Sequence, residues 1–447
     1  MGKGGEALVV CSDRSMGIGV TVWDVDSGDQ LLHIPTCAAS PHGLLCLRNQ
    51  FIVASQVNRH GSMGGGAVFI WSLNKPHSPI RSYTMEAIGP LCSTRDGVYL
   101  AGGSPSGNAY LWEVSTGRLL KAWAAHDKCL KCMAFSDDGS ILISSSDDGM
   151  LCMWSMISLL DMEDSGSLPL LLHCSLEHTS SITGLLTMSP SASATFVSSS
   201  LDGTCKVWDQ ISGIPIKTQV YPVAITAIVL HPGERVLFSG SIDGSIFVDE
   251  LDIGRVEDPF SVTDNQPVVL KGHKGSIIAM SFSKSGLISA SKDCSVCLWD
   301  VNNQVIIRRF NHQKGAITNT VIIPRSVLLN HQRSSNQYRI SLLEKYPQRP
   351  NSANGTIISL PPFSSLKGNH TSAGLQKTSL LDQHLFDSKA ELWGAYDGLQ
   401  LDWDTECRNI ILEMDSSLVV QVLTKEDYET NAHAALVRAI KYLLLQD

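Results

Sequence analysis

Three histidine–aspartate pairs recur with a fixed partner. His126, His178 and His273 are each followed, 20 to 24 residues later, by Asp148, Asp202 and Asp293, and each aspartate stands six residues before a tryptophan, Trp154, Trp208 or Trp299. An imidazole beside a carboxylate could act as a general base or supply metal ligands. The flanking residues argue for a different role. Each aspartate interrupts a run of small and apolar residues, as in Phe196-Val-Ser-Ser-Ser-Leu-Asp202-Gly-Thr-Cys-Lys-Val-Trp208. That is the pattern of two strands joined by a tight turn. A carboxylate buried in such a turn is costly unless its lone pairs are filled. The histidine ring, a nearby serine and the indole N–H are the expected donors. These sets therefore read as pins between strands, with no catalytic, metal-binding or cofactor-binding residue among them. Asp202→Ala is expected to destabilise the fold by a few kcal/mol, as removal of one partner of a buried charge does.

Two Cys-x-x-Cys pairs, Cys129/Cys132 and Cys294/Cys297, have the spacing of zinc half-sites. Each pair reads as part of a strand, where residues three apart face opposite ways, and the pairs fall in different repeats. No phosphate-binding glycine loop, nucleophile elbow or His-Glu-x-x-His motif occurs in the chain. The protein reads as a non-enzyme.

The elements around the three sets are copies of one another: Ile141–Trp154, Phe196–Asp209 and Leu287–Asp300 each read strand, turn, strand, Trp. This resembles the WD repeat. Weaker copies end at Trp23-Asp24, Trp71-Ser72 and Trp112-Glu113, and a seventh has Asp249 in the tryptophan slot. Successive slots are 48, 41, 42, 54, 41 and 50 residues apart. The short intervals fit one propeller blade, and the long ones carry insertions. The expected fold is all-β: a seven-bladed propeller over about 6–324, with a strand near 316–323 completing the first blade. Blades 4, 5 and 7 hold complete His/Asp/Trp sets; blades 1, 2, 3 and 6 are degenerate. Insertions at 58–66, 157–167 and 253–266 are candidate partner contacts, since loops on a rigid scaffold often carry binding.

Composition agrees with a strand-rich globular chain. Of 447 residues, 43% are hydrophobic and 17% charged, and the 34 Lys+Arg against 43 Asp+Glu give a net charge of −9. An acidic balance disfavours wrapping nucleic acid by bulk charge. The N-terminal Met-Gly-Lys-Gly-Gly-Glu has no apolar run behind it, so no signal peptide is read there, and no apolar run approaches the ~18 residues of a membrane span. The twelve scattered cysteines read as reduced thiols.

Beyond the ring, 325–386 is a Ser/Asn/Pro-rich linker or a peptide laid along the propeller. Its first part is basic, with Arg325, Arg333, Arg339, Lys345 and Arg349 against Glu344, a weak signal for RNA contact. Residues 387–429 carry eleven acids. A helix is expected at about 425–446, capped by Thr424. Tyr428, Ala432, Leu436, Ile440 and Leu443 would share one face of it, a stripe suited to a partner or a second copy.

The segments Val22–Leu32, Tyr110–Leu120 and Leu151–Leu160, together with the C-terminal helix, resemble the WD-repeat subunit of the complex that matures the large ribosomal subunit precursor. The resemblance implies a non-catalytic adaptor in the nucleus, in nucleolus and nucleoplasm. It implies helical-repeat scaffold subunits as partners, a midasin-type AAA ATPase and the large-subunit precursor reached through the complex, and a role in removing the internal spacer of pre-rRNA. A homodimer through the C-terminal region is expected. The alternatives are a platform in another nuclear complex, for ubiquitin ligation or replication licensing, and a direct RNA-binding protein using the basic stretch 325–349.

Overall fold

A computed structural model describes residues 5–12, 19–34, 37–57, 65–73, 75–161, 168–188, 194–251, 268–312, 315–329 and 340–346, with backbone only at 57, 75–78 and 329. The helix expected at about 425–446, with Tyr428, Ala432, Leu436, Ile440 and Leu443, lies outside these residues, as do most of the insertions at 58–66, 157–167 and 253–266. The chain divides into two units at Gln348/Arg349, and every described residue belongs to the first.

The first unit is a seven-bladed propeller of four-stranded antiparallel sheets. Blade 5 shows the common plan: Ile182–Thr187, Thr195–Ser200, Thr204–Asp209 and Pro215–Val220 run from inside to outside. The second and third strands are almost wholly buried, because both faces pack on neighbouring blades, and they read as continuous apolar and serine runs. The outer strand alternates, with every second residue exposed. Ile317–Pro324 pairs antiparallel with Glu6–Ser12, so the first blade is built from both ends of the ring segment and no inner edge is left open.

The core lies between blades. Ile143, Leu151 and Met153 of blade 4 pack with Ile182, Phe196 and Trp208 of blade 5, and Phe238 and Ile246 of blade 6 pack with Leu287 and Trp299 of blade 7. Each such side chain withdrawn from water contributes roughly 1.5–3 kcal/mol. Inner strands are tied across blades by hydroxyls: Thr183 Oγ1 donates to Ile225 O at 2.9 Å, and Thr318 Oγ1 to Ala39 O at 2.8 Å. His42 reaches from blade 2 to the Thr183 carbonyl oxygen in blade 5 at 2.8 Å.

The ring does not end the unit. A short helix, Ser326–Leu329, follows the last strand, and residues 340–346 lie against blades 2 and 3. Of the two readings of this stretch, the peptide laid along the propeller holds for 340–346. Blade 4 also carries a one-turn helix, Met156–Leu160, where an insertion was expected; Met156 and Leu159 are buried.

Candidate functional site

The His/Asp/Trp sets are the polar centres of the blades. In blade 5, Asp202 sits in the turn after Thr195–Ser200. Its Oδ2 accepts from His178 Nδ1 and from the Thr179 N–H, both at 3.0 Å, and its Oδ1 from the Thr204 N–H at 2.9 Å and hydroxyl at 2.6 Å. His178 Nε2 lies 2.7 Å from Ser198 Oγ, and Trp208 Nε1 donates to the same oxygen at 2.8 Å. Blade 7 repeats this with Asp293, His273, Ser289 and Trp299; its histidine contacts are 3.1 and 2.8 Å and its indole bond 2.7 Å.

One expectation is corrected here. The indole N–H does not reach the carboxylate; a serine stands between. Six residues of extended chain span about 20 Å, so the tryptophan lies at the far end of its strand from the aspartate. The serine two positions off in register on the adjacent strand is nearer. An indole N–H can only donate, so the serine oxygen receives it; that oxygen keeps a second lone pair and its own proton, and so can serve a neutral or a charged ring. Burial disfavours the charged form and pushes His178 and His273 below their ordinary value. It thereby selects the neutral ring, with the serine proton on Nε2 and Nδ1–H on the aspartate. Burial alone would raise Asp202 and Asp293, but their donors outweigh it: Asp202 falls below its ordinary value and Asp293 is pulled down to about 2. Each Nε2 is already engaged by a serine, so no imidazole lone pair is presented to a substrate.

Blade 4 keeps the inner half of the relay, with His126 Nε2 2.8 Å and Trp154 Nε1 2.9 Å from Ser144 Oγ. Asp148 accepts from the Ser146 hydroxyl and, at 3.0 Å, from the Met150 N–H. Thr204 and Ser295 supply hydroxyls at the matching position of blades 5 and 7, and Met150 has none. Blade 6 uses a different set that sequence reading missed: Tyr221 Oη donates to Asp249 Oδ2 at 2.6 Å and lies 2.9 Å from Ser239 Oγ. Tyr221 thus takes the histidine place and Asp249 the indole place. Burial raises Asp249 above its ordinary value. The signal was present, since Tyr221 and Ser239 precede Asp249 by 28 and 10 residues.

The cysteine pairs also need a correction. Cys129 and Cys294 lie just before the strands Leu130–Phe135 and Ser295–Asp300, and Cys294 has a positive φ of 66°. The turn takes the first cysteine of each pair out of the strand that carries the second. Among the described residues no group of three or more His, Cys, Asp or Glu is placed to hold a metal. In the basic stretch, Arg325 is held by Asp24; Arg333, Arg339 and Arg349 lie outside the described residues. On the outside, blade 5 presents Ile211, Ile214, Ile216 and Val220, the last 68% exposed.

A family model described as WD domain, G-beta repeat matches residues 117–155, 171–209, 215–248 and 265–300. ROOT INITIATION DEFECTIVE 3 of Arabidopsis thaliana is 32% identical over 373 residues, 80% of this chain and 84% of that protein. The chain belongs to its WD-repeat family. WD repeat-containing protein 18 of Bos taurus is 32% identical over 71% of this chain and 72% of its own. Pre-rRNA-processing protein IPI3 of Yarrowia lipolytica is 23% identical over 74% and 78%. Each of the four WD matches runs from the outer strand of one blade through the third strand of the next, and they end in blades 4 to 7, the blades with a serine in the relay. A second family model, reverse transcriptase-like, matches residues 349–447. It begins inside the stretch read as a linker and runs through the acidic residues and the expected helix. Sequence reading did not find this match, although Glu391-Leu-Trp-Gly-Ala-Tyr-Asp-Gly-Leu399 has no counterpart in a WD repeat.

Proposed function

We propose that this WD-repeat protein is a non-catalytic scaffold in ribosome biogenesis, supporting internal-spacer processing of pre-rRNA and maturation of the large subunit within a multi-subunit complex. The observation that carries this reading is similarity over most of the ring to relatives named for pre-rRNA processing. The geometry supports the scaffold part: the imidazoles and carboxylates of the relays in blades 5 and 7 are engaged by each other, by serine and threonine hydroxyls and by backbone N–H groups, leaving shape and outer surface as what these blades offer. The exposed apolar strand of blade 5 is a suitable contact for a helical-repeat partner. A midasin-type ATPase and the large-subunit precursor are reached through the complex, in the nucleus. The segment 387–447, with Leu436 and Leu443, supplies self-association.

The test is a pull-down of tagged full-length protein from cells, with depletion in parallel. Large-subunit precursors and helical-repeat proteins in the eluate, with unprocessed internal spacer after depletion, are expected. Absence of both would overturn the proposal. Leu436→Glu with Leu443→Glu should lower the mass seen by light scattering while the ring stays folded; an unchanged mass rejects self-association through this face.

A further inference from the structure

Blade 3 lacks the relay serine, and the vacancy has a structural cause. In blade 5 the relay serine Ser198 pairs with Lys206, two residues before Trp208; in blade 3 the residue paired with Tyr110, two before Trp112, is Gly102. A Cβ at Gly102 would lie 2.8 Å from Ile88 Cγ2 and 3.1 Å from Leu91 Cδ2, so a serine has no room. Trp112 is nevertheless 1% exposed, and its N–H must find an acceptor. It finds one outside the ring: Glu344 O, at 3.0 Å.

The segment that supplies this carbonyl is read along its length. Ser341 donates its N–H to Val114 O at 3.3 Å and its hydroxyl to Ser115 O at 2.7 Å. The Leu343 N–H goes to the buried Ser82 hydroxyl at 2.9 Å, and the Glu344 N–H to Gly117 O at 2.7 Å. Leu343 is 4% exposed, between Val53 and Val68 of blade 2 and Tyr110, Val114 and Leu119 of blade 3, and Ile340 packs against the same cluster. Leu342 points outward, 62% exposed. Gly117, at φ +77°, lets the segment approach: a Cβ there would be 1.9 Å from Leu342 O. A buried anchor, flanking backbone bonds and one outward residue are how extended peptides are bound by grooves.

We propose that the groove between blades 2 and 3 is a recognition site for an extended peptide with a leucine anchor, and that the chain's own Ile340–Tyr346 is its resident ligand. For this the Trp112 N–H and the pocket around Leu343 must persist when the segment leaves, and the segment must leave without unfolding the ring.

The test uses the full-length chain with a protease site introduced between residues 333 and 336. After cleavage the C-terminal fragment should stay with the ring. Excess synthetic peptide 339–347 should displace it at least tenfold faster than the same peptide carrying Leu343→Asp. In parallel, full-length Leu343→Asp should bind fluorescent peptide 339–347 at least tenfold more tightly than the uncleaved wild type, whose groove is filled. Displacement at equal rates by both peptides, or a folded Leu343→Asp chain that does not bind the peptide, would overturn the proposal. If Leu343→Asp fails to fold, the cleavage experiment alone decides.

Discussion

In blades 4 to 7 the position paired two residues before the tryptophan slot holds Ser144, Ser198, Ser239 or Ser289; in blades 1 to 3 it holds Val10, Ala54 or Gly102. The first group makes its relay bonds without help from the chain beyond the ring. The second is buttressed from outside. Arg325 pairs with the buried Asp24 of blade 1, Val327 and Leu328 pack on the core shared by blades 1 and 2, and 340–346 fills the groove between blades 2 and 3. The chain that follows the ring thus supports the blades that lack the relay. In blade 3 the missing hydrogen bond of the degenerate repeat is made by Glu344, a residue that no repeat alignment contains.

The largest expected effect falls within the self-sufficient group. Asp202→Ala removes the acceptor for His178, Thr179 and Thr204 at once, and with each donor left unpaired costing about 1–3 kcal/mol it should cost about 3–5 kcal/mol, read as a lower Tm and urea midpoint. A loss below about 1 kcal/mol would mean that the relay does not hold blade 5. Next comes Arg325→Ala in the buttressed group. Asp24 keeps the N–H groups of Asp26 and Ser27, at 2.9 and 3.0 Å, so the cost should be about 1–3 kcal/mol. If it equals the Asp202→Ala loss, the buttress is as stabilising as the relay; if it vanishes, the contrast between the groups fails.

Acid separates the blades by sign. His178 and His273 titrate below their ordinary 6.5, so between the folded and unfolded values the unfolded chain binds more protons. Their contribution is present above pH 6.5 and is lost as pH falls through the folded values. Asp293 adds a second loss between pH 3.8 and about 2. Asp249 runs the other way: its folded value is raised, so the native state binds the extra proton and blade 6 loses stability as pH rises through that window. Melting curves from pH 7 to 5 should show a falling Tm that His178→Gln flattens. Wild-type and His178→Gln curves of equal slope over this range would reject the neutral-ring assignment.

The ring was legible because blades repeat: Trp spacing, Asp-turns and alternating strands are short-range signals, and the aspartates lie in the turns where their neighbours place them. Three things were not legible. The serine between His178 and Trp208 was hidden in plain serine runs such as Ser198-Ser-Ser200, where register alone decides which hydroxyl faces the indole. The Tyr221–Asp249 pair was masked because neither residue is the histidine or the tryptophan of the repeat. The docking of 340–346 depends on Gly102, where a Cβ would strike Ile88 and Leu91, and on Gly117, where it would strike Leu342 O; the bond they permit, from Trp112 to Glu344, joins residues 232 apart in the chain.

The smallest effect is expected at Thr204, and it probes why blade 4 differs from blade 5. The Thr204 hydroxyl donates to Asp202 Oδ1 at 2.6 Å and lies 3.1 Å from His178 Nδ1; Ser295 does the same for Asp293 at 2.6 Å in blade 7. Because serine suffices there, Thr204→Ser should change stability by less than about 0.5 kcal/mol. Thr204→Val keeps the shape, removes the donor and should cost about 1 kcal/mol. It leaves position 204 offering Asp202 only its N–H, as Met150 offers Asp148. Equal melting temperatures for the serine and valine variants would show that the hydroxyl is not what draws the carboxylate toward the histidine, and the difference between blades 4 and 5 would then lie in the turn backbone.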